Sequence, residues 1–289
     1  MNAPSLPPRW QTTRFEIDLS RPRVMGIVNV TPDSFADAQP TPDAAAALRR
    51  CEALLREGAA LLDIGGESTR PGAPPLPADE EMRRLRPVLQ GALQLGVPVS
   101  VDTRRPEVMA MALDLGVDIV NDVQALQAPG ALALLARHGR AGVCLMHMRG
   151  EPATMSALAD YGDVVAEVRT FLADRLQAAA EAGITADRVV LDPGYGFAKH
   201  AAQSWALLAG QAALLDLGRP LLVGLSRKGF LGKLTGRAAP ERGAASVAAA
   251  LAAVDRGARI LRVHDVAATV DALAVWQRLR DEDAAAAAA

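Results

Sequence analysis

Short apolar runs alternate with amphipathic stretches along the whole chain. Eight runs predict strands: residues 24–30 (VMGIVNV), 60–65 (ALLDIG), 97–102 (VPVSVD), 117–122 (VDIVND), 142–147 (GVCLMH), 188–193 (RVVLDP), 220–226 (PLLVGLS) and 258–264 (ARILRVH). Such near-continuous hydrophobicity belongs to strands covered on both faces. The stretches between them predict helices. Residues 43–57 are rich in Ala, Leu and Arg and stop at Gly58, a suitable C-cap. Residues 79–95 open on Asp79, Glu80 and Glu81, acids that suit a helix N-terminus. Over 160–182, Tyr161, Val164, Val165, Val168, Phe171, Leu172 and Leu176 keep the 3.6-residue period.

No Pro/Gly/Ser linker divides the chain. Repeated βα units predict a parallel sheet, and eight of them predict an α/β fold of the single-domain (β/α)8 TIM-barrel type. The expected barrel spans residues 21–281, after an N-terminal extension (1–20) and before a low-complexity tail (282–289). A doubly wound open sheet is the competing fold, because periodicity does not distinguish a closed sheet from an open one. Eight units favour closure.

A barrel places its chemistry at the C-terminal ends of its strands. Every predicted strand does end in polar residues: Asn29; Asp63 and the loop GGESTRPG; Asp102; Asn121 and Asp122; His147; Asp192; Ser226-Arg227-Lys228; and Arg262, His264 and Asp265. A structural barrel has no need of polar groups at all eight exits. Asp63, Asp102, Asp122 and Asp192 around one mouth would repel one another unless cations, a metal or a ring rich in N–H donors relieved them. A carboxylate accepting two parallel N–H bonds reads an amidine-like edge, and Asn29 and Asn121 suit a ring of mixed donors and acceptors. Arg70, Lys228, Arg262 and His264 offer an anion pocket, with Arg matched to phosphate oxygens. The combination implies a polar ring joined to phosphate.

Each feature also has an ordinary reading. A single strand-end Asp commonly caps a turn or helix, and His147, between Met146 and Met148, suits a satisfied core histidine equally well. GYGFAK lacks the third glycine of a dinucleotide loop, and GLSRKG is neither a Walker loop nor a nucleophile elbow. The phase of these residues with the strand ends gives the set its weight.

Composition narrows the classes further. With 289 residues, half of them hydrophobic, the chain can bury a large core, and a net charge of −2 argues against a general nucleic-acid binder. Cys51 and Cys144 lie in a helical and a strand pattern, so no disulfide framework is expected and a reducing compartment fits. The proline-rich start has no apolar core of a signal peptide, and the most apolar helical stretch meets Asp255 after about eleven residues, too few to span a bilayer. A cytoplasmic protein without membrane partners is expected. The final DEDAAAAAA reads as a tail or a frayed helix end.

The motifs MGIVNVTPDSFAD, DIGGESTRPGA, SVDTRRPEV, VNDV, LMHM, LDPGYGFAK, GLSRKGFLG and RVHDV, in that order over about residues 23 to 280, closely resemble the dihydropteroate synthases of bacterial folate synthesis. The resemblance implies a (β/α)8 barrel that joins a dihydropterin-methyl diphosphate to p-aminobenzoate with Mg2+, releasing diphosphate. It also implies roles. Asp192 would read the amino-pyrimidinone edge of the pterin, Asp102 and Asn121 other ring edges, and Lys228 the ring carbonyl, with Arg262 beside the ring. Asn29, Arg70, Arg262 and His264 would hold the diphosphate, and Asn29 would ligate Mg2+. Phe35, Thr69, Pro71, Lys228 and Gly229 would shape the p-aminobenzoate site, and Asp37 would stand near the reacting methylene. Asp37, Lys228, Arg262 and His264 are the expected catalytic groups, acting through a dissociative, SN1-like step. A homodimer is also implied, with the Ala-rich pattern at 244–254 suited to packing on a partner or on the barrel wall.

Three positions depart from the resembled pattern. Ala38-Gln39-Pro40 stand where two glycines are frequent, Ala198 stands for the glycine of GFGK, and Gly229 follows Lys228 where a side chain is common. Two other functions keep part of the pattern. A methyltetrahydrofolate-binding methyltransferase would need neither Arg262 and His264 nor the NVTPDSF and ESTRPG loops. A non-catalytic pterin-binding paralogue would keep the pocket without turnover.

Overall fold

From residue 23 onward the chain alternates strand and helix, as the hydrophobic pattern predicts. The structure, a computed structural model, describes residues 9–31, 43–68, 72 and 75–288. Its elements in chain order are β1 (Arg9–Gln11), β2 (Glu16–Asp18), β3 (Arg23–Asn29), α1 (Ala44–Arg56), β4 (Leu61–Gly65), α2 (Ala78–Ala92), β5 (Val99–Asp102), α3 (Pro106–Asp114), β6 (Ile119–Asp122) and α4 (Ala131–His138). There follow β7 (Gly142–Met146), α5 (Val164–Glu181), β8 (Val189–Asp192), α6 (Ala201–Ala209), β9 (Leu221–Val223), α7 (Gly229–Thr235), α8 (Gly243–Val254), β10 (Ala258–Val263) and α9 (Val266–Ala288). Strands β3 to β10 are parallel and close in the order β10-β3-β4-β5-β6-β7-β8-β9, so the sheet is the barrel and not the open alternative. Among the described residues no helix is long and apolar enough to cross a membrane.

The barrel interior is built in tiers. Met25, Leu61, Ile119, Cys144, Val190, Leu222 and Ile260 are all buried and form an apolar floor. Alternation along a strand puts the residue two further on at the same face, one tier higher. There stand Ile27, Asp63, Asn121, Met146, Asp192 and Arg262. The outward residues between them, such as Val28, Leu62, Val101, Val120, Val143, Leu191 and Leu261, pack under the helices.

The N-terminal extension proves to be part of this floor. Strands β1 and β2 form an antiparallel hairpin, Trp10 facing Ile17. Trp10 is fully buried against the floor tier, and its indole N–H donates to the Arg188 carbonyl at 2.8 Å. Arg14, in the hairpin turn, holds buried Asp118 through Nε and Nη2 at 3.0 and 2.6 Å. At the other terminus α9 continues to Ala288, taking the low-complexity tail into helix. The expected helix at 160–182 begins at Val164, because the Asp163 carboxylate accepts the N–H groups of Val165 and Ala166 and caps it there.

Candidate active site at the barrel mouth

Arg262, on the second tier of β10, ties the carboxylates of β4 and β5 together. Its Nε donates to Asp63 Oδ2 at 2.5 Å and its Nη2 to Asp102 Oδ2 at 2.6 Å. Asn121 Nδ2 donates to the same Asp63 oxygen at 3.1 Å. One guanidinium thus bridges two carboxylates and offsets part of their mutual repulsion. Burial still raises the Asp102 carboxyl against the pull of Arg262, with Asp63 adding to the rise. The same two aspartates hold Arg262 firmly protonated despite its burial.

Asp192 ends β8 on the opposite side. Its Oδ1 accepts the Gly194 N–H at 2.7 Å, and burial raises its pKa against that bond and the charges of Lys228, Arg262 and Lys199. The loop carrying Gly194 passes so close to β7 that a Cβ there would lie 2.0 Å from the His147 carbonyl oxygen, and its φ is +70°. Only glycine fits. Lys199 fastens the same loop: its buried Nζ donates to Gly194 O at 2.9 Å and Phe197 O at 3.0 Å and lies 2.8 Å from His147 Nδ1. The Phe197 ring so placed sits 4.1 Å beneath Lys228 Nζ, a cation–π contact. Val123, Met146, Met148 and Phe197 form an apolar wall beside these groups.

At the exits of β9 and β10 the chemistry turns basic. Ser226 Oγ lies 3.0 Å from His264 Nδ1, and Arg227 pairs with Asp265. Burial, then Arg227 and Arg262, push the His264 pKa down to about 3. Half-buried Asn29 ends β3, its Cα in register with Gly65. The mouth therefore offers buried carboxylates and an amide at its base, an apolar wall at one side, and cations above. A flat ring with N–H and carbonyl edges, carrying an anionic substituent, matches that order.

Comparison with known proteins agrees. The profile of the pterin binding enzyme family matches residues 25–264. The dihydropteroate synthase of Neisseria meningitidis serogroup B is 52% identical over 276 residues, 93% of this chain and 97% of that protein. This chain belongs to the dihydropteroate synthase family. It is a pterin-methyl transferase by family. Among solved structures, Xanthomonas albilineans dihydropteroate synthase with 4-aminobenzoic acid superposes with a TM-score of 0.89 at 52% identity, covering 94% of this chain and 98% of that one. The Burkholderia cenocepacia dihydropteroate synthase complexed with 7,8-dihydropteroate gives 0.87 at 51% identity, covering 96% and 98%.

Of the residues expected at a synthase site, Asn29, Asp102, Asn121, Asp192, Lys228, Gly229, Arg262 and His264 all lie at strand ends or exits on this mouth. Phe35, Asp37, Thr69, Arg70 and Pro71, with Ala38-Gln39-Pro40, lie outside the described residues. Two strand-end groups take the ordinary roles. The Asp122 carboxylate caps its own loop, accepting from Gln124 N at 2.8 Å and Leu126 N at 2.7 Å. His147 is a buried histidine packed edge-on to Phe171 at 4.8 Å.

Sequence reasoning missed three things. Asp63 is the shared acceptor of Arg262 and Asn121, which its strand-end position alone did not reveal. Lys199 was visible as the end of a discounted glycine motif, yet it holds the pocket loop. Glu67, on the β4 exit, accepts from Arg104 at 3.2 Å, Arg105 at 2.8 Å and Leu76 N at 3.0 Å, and Arg105 also reaches buried Glu81 at 2.7 Å. That cluster joins the β4 and β5 exits, and the TRR run was its signal.

Proposed function

We propose that this mouth condenses 6-hydroxymethyl-7,8-dihydropterin diphosphate with p-aminobenzoate, giving 7,8-dihydropteroate and diphosphate. The observation that carries the reading is the arrangement around Arg262: carboxylates and an amide at ring height, and basic groups one tier above. The relatives complexed with 7,8-dihydropteroate and with 4-aminobenzoic acid support it.

In this reading Asp192 accepts two N–H bonds of the amino-pyrimidinone edge. Asp102 and Asn121 meet other ring edges, and the Lys228 ammonium donates to the ring carbonyl. Arg262 uses Nε and Nη2 on its aspartates, and Nη1 serves the diphosphate together with His264, Asn29 and Arg70. The carbon–oxygen bond to diphosphate breaks with its electron pair going to the departing oxygen. Asp37 stabilises the pterin-methyl cation left behind. The arylamine nitrogen, to be held among Phe35, Thr69, Pro71, Lys228 and Gly229, then bonds that carbon and gives up its proton to the departed diphosphate. Exclusion of water protects the cation from capture.

Among the described residues no three His, Cys, Asp or Glu side chains gather at metal-ligand spacing. A magnesium ion would be held on the protein side by the carboxamide oxygen of half-buried Asn29 at the β3 exit, a hard oxygen donor of the kind Mg2+ takes. Such an ion supplies positive charge to the leaving diphosphate. A cytoplasmic homodimer completes the proposal. The buried face of α8 (Ser246, Ala249, Ala250, Ala253) packs on the barrel wall, and exposed Leu234 on α7 is left for a partner.

The test is diphosphate release by purified protein given the pterin diphosphate, Mg2+ and p-aminobenzoate. Release that requires all three, with dihydropteroate formed in equal amount, is expected. Tight pterin binding without turnover would instead identify a binding paralogue.

A further inference from the structure

Two consecutive residues after β9 are linked to two consecutive residues at the end of β10. Ser226 meets His264, and Arg227 grips Asp265 through Nε at 3.1 Å and Nη2 at 2.5 Å. Arg227 adopts a left-handed φ of 59°. Its backbone is held there by Ser246 Oγ, which accepts its N–H at 2.9 Å, and by Arg242 Nη1, which donates to its carbonyl at 2.9 Å. The chain is therefore bent and fastened so that Ser226 faces the histidine.

The hydrogen-bond inventory at Ser226 decides a proton position. Its Oγ lies 3.0 Å from His264 Nδ1 and accepts the His264 backbone N–H at 3.2 Å. Ser226 is 7% exposed, so its own hydroxyl proton needs an acceptor inside the protein. Among the described residues, the His264 nitrogens are the partners this oxygen has, and the backbone nitrogen is itself a donor. The acceptor is then Nδ1, which must be unprotonated. A neutral imidazole with a bare Nδ1 carries its proton on Nε2. The reverse tautomer would aim two donors at one hydroxyl and strand the buried O–H proton.

We propose that Ser226 is a positioning residue that holds His264 in the Nε2–H tautomer, so that His264 meets the diphosphate as a neutral hydrogen-bond donor and not as a cation. This rests on the diphosphate role given to His264 above. The surroundings agree with it. Arg227, Arg262 and Lys228 act on the imidazole with Asp265 as the counter-charge, while Arg50 from α1 donates from Nη2 to the His264 carbonyl at 2.9 Å and pairs with Glu57. Arg227, Arg262 and Lys228, although the two arginines are paired with carboxylates, disfavour a further positive charge on the ring. A fixed neutral donor adds direction instead.

Imidazole nitrogen correlation spectra of the 15N-labelled full chain report the tautomer of each of its four histidines, with His264 assigned by its loss in His264→Gln. At pH 7, with and without added pyrophosphate, His264 is expected as the neutral Nε2–H form. Ser226→Ala should mix the tautomers and raise KM for the pterin diphosphate about tenfold, the size of one net hydrogen bond. Affinity for the bare pterin alcohol should stay unchanged, and Ser226→Thr, which keeps the hydroxyl, should restore both tautomer and KM. A wild-type spectrum showing Nδ1–H or doubly protonated imidazole overturns the proposal, and needs no variant to fold. So does Ser226→Ala with wild-type tautomer and KM. Should His264→Ala weaken diphosphate and alcohol equally, the diphosphate role itself fails, whatever the tautomer.

Discussion

Lys228 stands among groups that oppose each other over its charge. Burial drives its pKa down from 10.5 to about 8, Asp192 pulls it back up, and Arg262 pushes it down again. In the proposed binding mode it donates to the ring carbonyl as an ammonium, and as an amine it would donate far less well. The ratio kcat/KM for the pterin diphosphate follows the free enzyme. On the alkaline side it should therefore fall with unit slope above about pH 8, a limb that Lys228→Arg should lack. A flat profile to pH 10 in the wild type would refute the role. Ala198 poses the opposite kind of question, since it occupies a left-handed φ of 47° that suits glycine. Ala198→Gly would relieve about 1–2 kcal/mol of backbone strain. It would also remove a buried methyl worth about 0.8 kcal/mol and add about 0.4–1 kcal/mol of unfolded-chain entropy. The contributions nearly cancel, so urea unfolding should place this variant within about 1 kcal/mol of the wild type. That balance explains how alanine is tolerated where the resembled pattern has glycine.

Elements were legible to the extent that their pattern was long. The eight barrel strands show as apolar runs because both faces are covered, and their polar ends show because alternation carries the inward face up to the mouth. The hairpin of β1 and β2 did not show: its strands have three residues each, below any usable period. Strand β9 is equally short, ending at Val223, so Ser226, Arg227 and Lys228 lie on the following loop and not on the strand. Contacts made across long sequence separations were also invisible, as with Lys199 and His147, 52 residues apart, or Ser226 and His264, 38 apart. The hairpin makes a prediction of its own. Trp10 is its deepest side chain, wholly buried with its N–H satisfied, and Trp10→Ala should cost about 3–5 kcal/mol of stability. Because Trp10 packs at the floor and not at the mouth, KM for both substrates should be unchanged well below the melting temperature. Altered KM at that temperature would mean the floor and the mouth are coupled.

At the scale of the molecule the barrel assigns stability and function to different tiers. The floor gathers apolar side chains, and the tier above it gathers carboxylates that burial disfavours. Asp192 shows the cost most clearly, because its pKa is raised by burial in spite of the Gly194 N–H and the nearby cations. A carboxyl with a raised folded pKa binds its proton more tightly in the folded state than in the unfolded one. Its ionisation therefore lowers stability as pH climbs from the ordinary carboxylate range through the raised value, and the loss is complete above it. Asp192→Asn keeps the shape, removes the buried charge and should melt higher than the wild type at pH 7, with a smaller decline in stability between acid and neutral pH. In the proposed binding mode the same change would deprive the pterin edge of its anionic acceptor. Pterin binding should weaken by about 2–5 kcal/mol, the range for losing one member of a buried charged contact. Thermal melting across pH, paired with calorimetric titration of the pterin, measures both. A variant that melted lower while binding pterin normally would mean that Asp192 serves the fold and not the ligand.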